Sequence, residues 1–203
     1  MLVAHALCSK RMHIWVYFCW WNIVSCEWIS VPEDQMRSYA TGLKRPLAIQ
    51  TGSPVAVITD IPSSLDWRNL SGSIPVRDKG GCGSCWAFAT IAPLEFMIQK
   101  LTSQQGVDLS EQFFVQCNDM CFSCAAGGWW AFDKFRTHGM VPESCAPYRG
   151  TDGPCTVSCE AIPGVAVLEW GYVDRYGGIP SIEAMKSVLL RRGPLAVAVS
   201  VGN

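Results

Sequence analysis

Apolar residues in the middle of the chain recur every three or four positions, the spacing of one face of an α-helix. The first such segment, Cys85–Lys100, follows a run of glycines and is predicted to be a helix. It contains Pro93, where we expect a kink or an early end because proline removes a backbone hydrogen bond. A second helix is predicted from Ser110, its N-cap, towards Cys117, and a third at Trp129–Thr137.

The last part of the chain predicts one more helix followed by a strand. Ser181 caps a helix that carries Ile182, Met185 and Leu189 on one face. Larger and smaller side chains then alternate along residues 195–201, which is the pattern of a strand. Helices therefore dominate the first part and a sheet only begins at the end, which predicts an α+β fold whose second half is cut short.

The amino-terminal residues, 1–26, predict a secretory signal peptide. Basic Lys10 and Arg11 precede an apolar run at 14–24, and small residues follow it. The run has eleven residues, whereas a bilayer-spanning helix needs about 20, so we expect no stable membrane anchor; an uncleaved signal anchor is the alternative. Residues 27–60 are rich in turn formers and are interpreted as a short pro-segment.

Composition narrows the possible partners and compartments. The 203 residues are 49% hydrophobic and 16% charged, as in folded globular proteins. The net charge is -1 and no basic stretch is present, so a nucleic-acid partner is not expected. Eleven cysteines favour an oxidising compartment. We expect the secretory pathway, leading to a lysosome-like or vacuole-like compartment or outside the cell.

The segment KGGCGSCWAF, residues 79–88, carries the candidate chemistry. A zinc site would combine Cys82 and Cys85 with Cys121 and Cys124, but 35 residues separate the two pairs, against about 15 to 20 in ribbon-type sites. A thioredoxin-type redox couple would need a preceding buried strand, and glycines stand there instead. Neither a metal nor another cofactor is therefore expected.

A nucleophilic role for Cys85 explains more of this segment. Cys85 stands where the glycine loop becomes a helix, and free N–H groups at a helix start favour a thiolate. Its own N–H group can also point at a developing oxyanion. Gly83 and the preceding glycines let the main chain turn and let a substrate come close, while Cys82 would be bonded elsewhere.

The segment CGSCWAF resembles the active-site stretch of the papain-like cysteine proteases. Further matches follow in that family's order along residues 61–203, which we interpret as the peptidase domain: LDWRN, PVRDKGGCGSCWAF, LSEQ, GGW, CAPY and RGPLAVAV. CAPY followed by Cys155-x-x-x-Cys159 is most similar to the cathepsin-B-like branch, with a shortened occluding-loop region. The resemblance implies a two-domain fold, with the amino-terminal helical (left) domain complete and the carboxy-terminal β-barrel (right) domain truncated.

The same resemblance implies roles for single residues. Cys85 would be the nucleophile, Gly127 and Gly128 the extended edge that pairs with a substrate backbone, and peptides or proteins the substrates. Cys82 would bond to Cys124 or Cys121, a choice left open. The other implied disulfides are Cys117–Cys155 and Cys145–Cys159.

The sequence departs from the family pattern in two ways. Lys79 stands where the family has the glutamine of its oxyanion hole. The family's histidine and asparagine lie about 130 to 150 residues beyond the nucleophile, so we expect both to be missing and the chain to be inactive alone. His138 is interpreted as a residue of a helix end. A non-catalytic remnant that binds peptides and a thiol oxidoreductase remain as alternatives.

Overall fold

The computed structural model of the chain describes residues 2–3, 58–71, 74–118, 120–137, 139–174 and 178–199. The chain divides into two units, and the larger one contains Ile74–Trp170, which includes the glycine loop. The other unit contains the described residues before position 72 and after position 170.

Five helices and one pair of short strands make up the regular structure of the described residues. The helices are α1 Arg68–Ser71, α2 Cys85–Thr102, α3 Glu111–Cys117, α4 Phe132–Thr137 and α5 Ile182–Arg192. The strands β1 Leu2–Val3 and β2 Val197–Ala198 pair in parallel, with Leu2 opposite Val197. The mixture of helix and a little strand agrees with an α+β class.

Helix α2 runs through Pro93 and continues to Thr102, so of the kink or early end expected there, the early end does not occur. A proline inside a helix costs roughly 3 kcal/mol. Buried apolar side chains lie on both sides of it, with Ile91 before and Phe96 and Ile98 after. Each such side chain contributes about 1.5 to 3 kcal/mol when fully buried, so packing outweighs the missing hydrogen bond.

Helix α3 begins where its cap was predicted. The Ser110 hydroxyl accepts a hydrogen bond of 2.9 Å from the backbone N–H group of Phe113. Phe114 on this helix is fully buried, as is Trp86 on α2. Helix α4 begins at Phe132, three residues after the predicted start at Trp129, and the two tryptophans ahead of it are buried.

In the second unit, the cap of α5 is as predicted, and its predicted apolar face is covered in part. The Ser181 hydroxyl accepts a 3.1 Å hydrogen bond from the N–H group of Ala184. Of the residues expected on one face, Met185 packs against buried Val173 and Val188, whereas Ile182 is 59% exposed. The apolar spacing therefore identified the helix and part of the side of it that is covered.

The predicted strand at 195–201 is represented by β2 alone. Ala196 and Ala198 are the buried residues of this segment, and Val199 is exposed. Leu195 and Val197 are half-buried and pack against the buried valines of the second unit. Positions 200–203 lie outside the described residues, as does most of the signal peptide expected at 1–26 and of the pro-segment expected at 27–60. None of the helices that the structure describes has the length and apolar content needed to cross a membrane.

Candidate active site

Cys85 is the first residue of α2 and carries an unpaired, half-buried thiol. The residue before it, Ser84, is the N-cap, yet its side chain makes no capping hydrogen bond. The loop that leads to this point turns at Gly80, whose φ of 59° lies in the left-handed region that glycine tolerates. The sulfur therefore lies at a helix start whose N–H groups no side chain caps.

The other cysteine of the loop is covalently held. Cys82 bonds to Cys124, so of the two partners left open the structure has Cys124, while Cys121 is unpaired and exposed. The N–H group of Gly83 donates a 3.0 Å hydrogen bond to the carbonyl of Cys124, parallel to the disulfide. A zinc site and a Cys82–Cys85 redox couple both need the Cys82 sulfur, which is already bonded to Cys124.

The other disulfides among the described residues are Cys117–Cys155 and Cys145–Cys159. The first joins the end of α3 to the segment after the CAPY motif, and the second closes the segment that begins in that motif. Both lie in the Ile74–Trp170 unit, where they hold together long stretches without regular structure.

The environment of the Cys85 thiol contains opposing influences. Burial raises its pKa, while the Lys79 ammonium and the backbone N–H groups of Trp86 and Cys85 lower it. Burial is the largest of these influences, and the pKa is raised overall. The N–H groups at the helix start thus favour the thiolate, but their effect on the thiol pKa is smaller than that of burial. No histidine is among the residues that the structure describes, and His138 lies outside them.

Lys79 occupies the position that the resemblance gives to an oxyanion donor. Its Nζ atom donates hydrogen bonds to the carbonyls of Gly80, at 3.2 Å, and Cys82, at 3.1 Å. Burial lowers the pKa of Lys79, and the electrostatic influence of Cys85 opposes that change. The ammonium is therefore near Cys85 and also holds the backbone of the glycine loop.

Tyr148, the last residue of CAPY, contacts both ends of the loop, and sequence reasoning did not assign it to the site. Its hydroxyl donates a 2.7 Å hydrogen bond to the carbonyl of Lys79 and lies 2.6 Å from the Ser84 hydroxyl. Its ring meets that of Phe88 on α2 edge to face, with centroids 4.9 Å apart. The CAPY motif is recognisable in the sequence, but Tyr148 contacts residues that are 60 to 69 positions away, and the sequence spacing does not reveal such contacts.

Two side chains fix the segment that carries Tyr148. The Glu143 carboxylate accepts a 2.6 Å hydrogen bond from the N–H group of Tyr148. Gln112, in the first turn of α3, accepts hydrogen bonds from the N–H groups of Arg149, at 2.8 Å, and Gly150, at 3.2 Å. The backbone at and after Tyr148 is thus fixed by Glu143 and Gln112, neither of which belongs to the loop that the Tyr148 hydroxyl contacts.

The paired glycines lie in a tight, closely packed stretch. Gly127 has a φ of 69°, and both its N–H and carbonyl groups bond to Ser123, at 2.9 and 3.2 Å. Gly128 is packed so closely that an added Cβ atom would lie 2.7 Å from Phe122 Cγ and 2.8 Å from Trp86 Cδ2. Gly127 therefore closes a turn, and the absence of a side chain at Gly128 lets the rings of Phe122 and Trp86 pack against its backbone. Pairing with a substrate stays a prediction.

Arg77, which lies just before the glycine loop in the sequence, is surrounded by three carboxylates, two of which are buried. The Arg77 guanidinium is 3.1 Å from a carboxylate oxygen of Glu95, 2.7 Å from Asp108 and 3.1 Å from Glu111. Glu95 also accepts a 2.8 Å hydrogen bond from the N–H group of Leu109. Burial raises the pKa of Glu95 and of Glu111 to about 7 each, although Arg77 opposes the change.

Comparison with known proteins agrees with this geometry. Residues 61–203 match the model of the papain family cysteine proteases. Zingipain-2 of Zingiber officinale is 40% identical over 125 residues, covering 60% of this chain and 52% of the relative. The viral cathepsin of Cydia pomonella granulosis virus is 33% identical over 174 residues, covering 81% and 50%. The chain spans about half the length of the curated relatives it matches.

A solved structure gives the same assignment. Digestive procathepsin L2 proteinase from Tenebrio molitor larval midgut is 28% identical and superposes with a TM-score of 0.52, covering 64% of this chain and 46% of that one. None of these three relatives is a cathepsin B, so they give no particular support to that branch. The chain belongs to the papain family of cysteine proteases.

Proposed function

We propose that this chain carries the nucleophile of a cysteine-type endopeptidase and that Cys85 is that nucleophile. The observation that supports the proposal most directly is the contrast between two cysteines of one loop. Cys85 is unpaired at the first position of α2, while Cys82 is held in a disulfide with Cys124. A thiol kept free beside uncapped N–H groups is suited to attack a carbonyl carbon.

In the proposed reaction, the Cys85 thiolate forms a bond to the carbonyl carbon of a peptide. The carbonyl oxygen becomes an oxyanion, for which the N–H group of Cys85 is a suitably placed donor. Collapse of this intermediate breaks the carbon–nitrogen bond and leaves a thioester on Cys85 and an amine that takes up a proton. Water then hydrolyses the thioester and restores the thiol.

The proton on the leaving amine must come from a general acid, and the helix N-terminus cannot supply one. Within the described residues, Lys79 is the charged side chain that acts on Cys85, and it gives two of its hydrogen bonds to loop carbonyls. We therefore propose that the 203-residue chain by itself has no measurable peptidase activity. Turnover of a fluorogenic dipeptide substrate that disappears in Cys85→Ser would contradict this and would make His138 the first residue to test.

Selective alkylation tests the assignment of the nucleophile without requiring turnover. The unreduced chain is treated briefly with iodoacetamide near neutral pH, and each cysteine is then quantified by peptide mapping. We expect modification of Cys85, and none of Cys82 until a reductant is added. Cys121, which is unpaired and exposed, serves as the internal standard for an ordinary surface thiol. Equal labelling of Cys82 and Cys85 without reductant would contradict the proposal.

Peptides or proteins are the proposed substrates, and the secretory pathway is the proposed location, in a lysosome-like or vacuole-like compartment or outside the cell. Three disulfides in the described residues support an oxidising environment. Assignment to the cathepsin-B-like branch rests on CAPY and Cys155-x-x-x-Cys159 alone. If the protein instead binds peptides without cutting them, Cys85 will still be labelled by iodoacetamide, but no version of the protein will hydrolyse a peptide.

A further inference from the structure

The turn at residues 123–127 lies directly before Gly128. Ser123 and Gly127 bond to each other through both of their backbone groups, at 2.9 and 3.2 Å, and so close the turn. The Ser123 hydroxyl also accepts a 2.7 Å hydrogen bond from the N–H group of Ala126. Because the backbone groups of Gly127 are used within the turn, the substrate pairing predicted for the two glycines falls to Gly128.

The exposed carboxylate of Asp152 supplies the other acceptors of this turn. It accepts a 2.6 Å hydrogen bond from the N–H group of Cys124 and a 3.3 Å hydrogen bond from the N–H group of Ala125. Hydrogen bonds to a carboxylate are shorter and stronger than those between neutral groups. Two consecutive N–H groups of the turn are therefore held by one side chain that lies more than 25 positions away in the sequence.

Asp152 is itself presented from a fixed backbone. The side chain of Gln112 on α3 is fully buried and accepts the hydrogen bonds of the Arg149 and Gly150 N–H groups. Its amide nitrogen donates a 2.8 Å hydrogen bond to the carbonyl of Thr151, the residue before Asp152. The carboxylate thus reaches the turn from a support that does not belong to the turn.

The same turn is joined to the loop that precedes Cys85. Cys124 forms the disulfide with Cys82, and its carbonyl accepts the 3.0 Å hydrogen bond from the N–H group of Gly83. The residue whose N–H group Asp152 holds at 2.6 Å is therefore also the residue that ties the turn to the glycine loop. Asp152 is in this way connected to both the glycine loop and the stretch that ends at Gly128.

We propose that Asp152 is a positioning residue for the substrate: by holding the N–H groups of Cys124 and Ala125, it fixes the backbone at Gly128 relative to Cys85. The proposal rests on the proposed function of Cys85 and on the predicted pairing of Gly128 with a peptide. A turn that is already ordered spares the peptide the cost of ordering it on binding. Asp152 therefore acts on recognition of the peptide backbone and not on the reactivity of the thiol.

The experiment compares two alkylating reagents on the full, unreduced chain, with each thiol quantified by peptide mapping. Iodoacetamide is small and needs no contact with the turn, whereas an uncharged tripeptide chloromethyl ketone presents a peptide backbone to it. The ratio of the two rates at Cys85, divided by the same ratio at exposed Cys121, measures recognition of the peptide. We expect this quotient to exceed one in the wild-type chain and to fall about tenfold in Asp152→Ala, while the iodoacetamide rate at Cys85 stays unchanged.

Two matched variants separate positioning from a merely structural role. Asp152→Asn keeps one side-chain oxygen, which can serve one of the two N–H groups, and should lower the quotient about threefold. Glu160→Gln, at an exposed carboxylate in the same unit, should keep the wild-type quotient. A wild-type quotient in Asp152→Ala, or an equal fall in both rates, would overturn the proposal. If Asp152→Ala fails to fold, Asp152→Asn decides, and an unchanged quotient there refutes it.

The proposed function and this inference fail in different ways. If Cys85 is not the nucleophile, iodoacetamide will show no preference for Cys85 over Cys82 in the wild-type chain. If Cys85 is the nucleophile but Asp152 does not position the substrate, that preference will remain and Asp152→Ala will keep the wild-type quotient. A wild-type quotient no greater than one would contradict the predicted pairing of Gly128, and with it this inference, but not the role of Cys85.

Discussion

Glu95 and Glu111 predict that the folded chain is more stable in mild acid than in mild alkali. Their side chains are only 1% and 3% exposed, and they share the Arg77 guanidinium. The pKa of each is raised to about 7 in the folded chain, from an ordinary value of 4.5. A carboxyl with a raised pKa binds its proton more tightly when folded. Its contribution to stability is therefore complete below about pH 4.5 and is lost as the pH rises through about 7.

The size of this effect follows from the two pKa values. At about 1.36 kcal/mol per pH unit, ionising one such carboxyl destabilises the folded chain by about 3 kcal/mol. Arg77 balances one of the two negative charges, so we count one proton for the pair. The free energy of unfolding should therefore be about 2.5 kcal/mol greater at pH 5 than at pH 8. Burial is the main cause of the raised pKa of Glu111, and repulsion from Glu95 adds to it, so Glu95→Gln should make this difference smaller than in the wild-type chain.

Urea unfolding followed by tryptophan fluorescence, without reductant, measures the difference at the two pH values. Glu160→Gln, an exposed carboxylate in the same unit, is the matched control and should leave the difference as it is in the wild-type chain. The reasoning is refuted if the wild-type chain is less stable at pH 5 than at pH 8, or if Glu95→Gln keeps the wild-type difference.

Three further substitutions test other parts of the site. Lys79→Gln should raise kcat in any version of the protein that hydrolyses a peptide, because a glutamine amide is less hydrated and better preorganised than an ammonium; an unchanged or lower kcat would show that the lysine is adapted to its place. Gly128→Ala should destabilise the fold by about 1 to 3 kcal/mol, since its Cβ would lie 2.8 Å from Trp86, whereas Gly81→Ala, in open space, should change the melting temperature little. Arg77→Met should cost about 3 to 5 kcal/mol at pH 8 and less at pH 5, and equal losses in urea unfolding at the two pH values would contradict the role of its charge.

Local chemistry was predictable wherever a single residue determines it. The caps Ser110 and Ser181 were identified because a serine before an apolar periodic segment has one main local use. The unpaired Cys85 at a helix start followed from the glycine loop and from the CGSCWAF motif. These features need no knowledge of distant parts of the chain.

Long-range packing decided the features that were missed. The continuation of α2 past Pro93 depends on burial by other segments, which outweighs the local preference for an earlier end. Tyr148 reaches Ser84 across 64 positions, and Glu95 looks like an ordinary polar residue of a helix until Arg77 is seen beside it. Such partnerships arise from the folded path of the chain, which spacing along the sequence does not encode.

The three disulfides overlap along the chain in a way that affects how the molecule survives cleavage. Cys117–Cys155 begins before Cys82–Cys124 ends, and Cys145–Cys159 begins before Cys117–Cys155 ends. Every peptide bond from residue 82 to residue 159 therefore lies inside at least one closed covalent ring.

A single cut anywhere in that stretch opens a ring but releases no fragment. The glycine loop and the segment that carries Tyr148 would stay on one covalent molecule even after the backbone between them was broken. In a compartment that contains peptidases, a nicked copy would migrate as one species on a non-reducing gel and as two on a reducing gel. The overlapping rings thus keep the candidate site on one covalent molecule after a single cut.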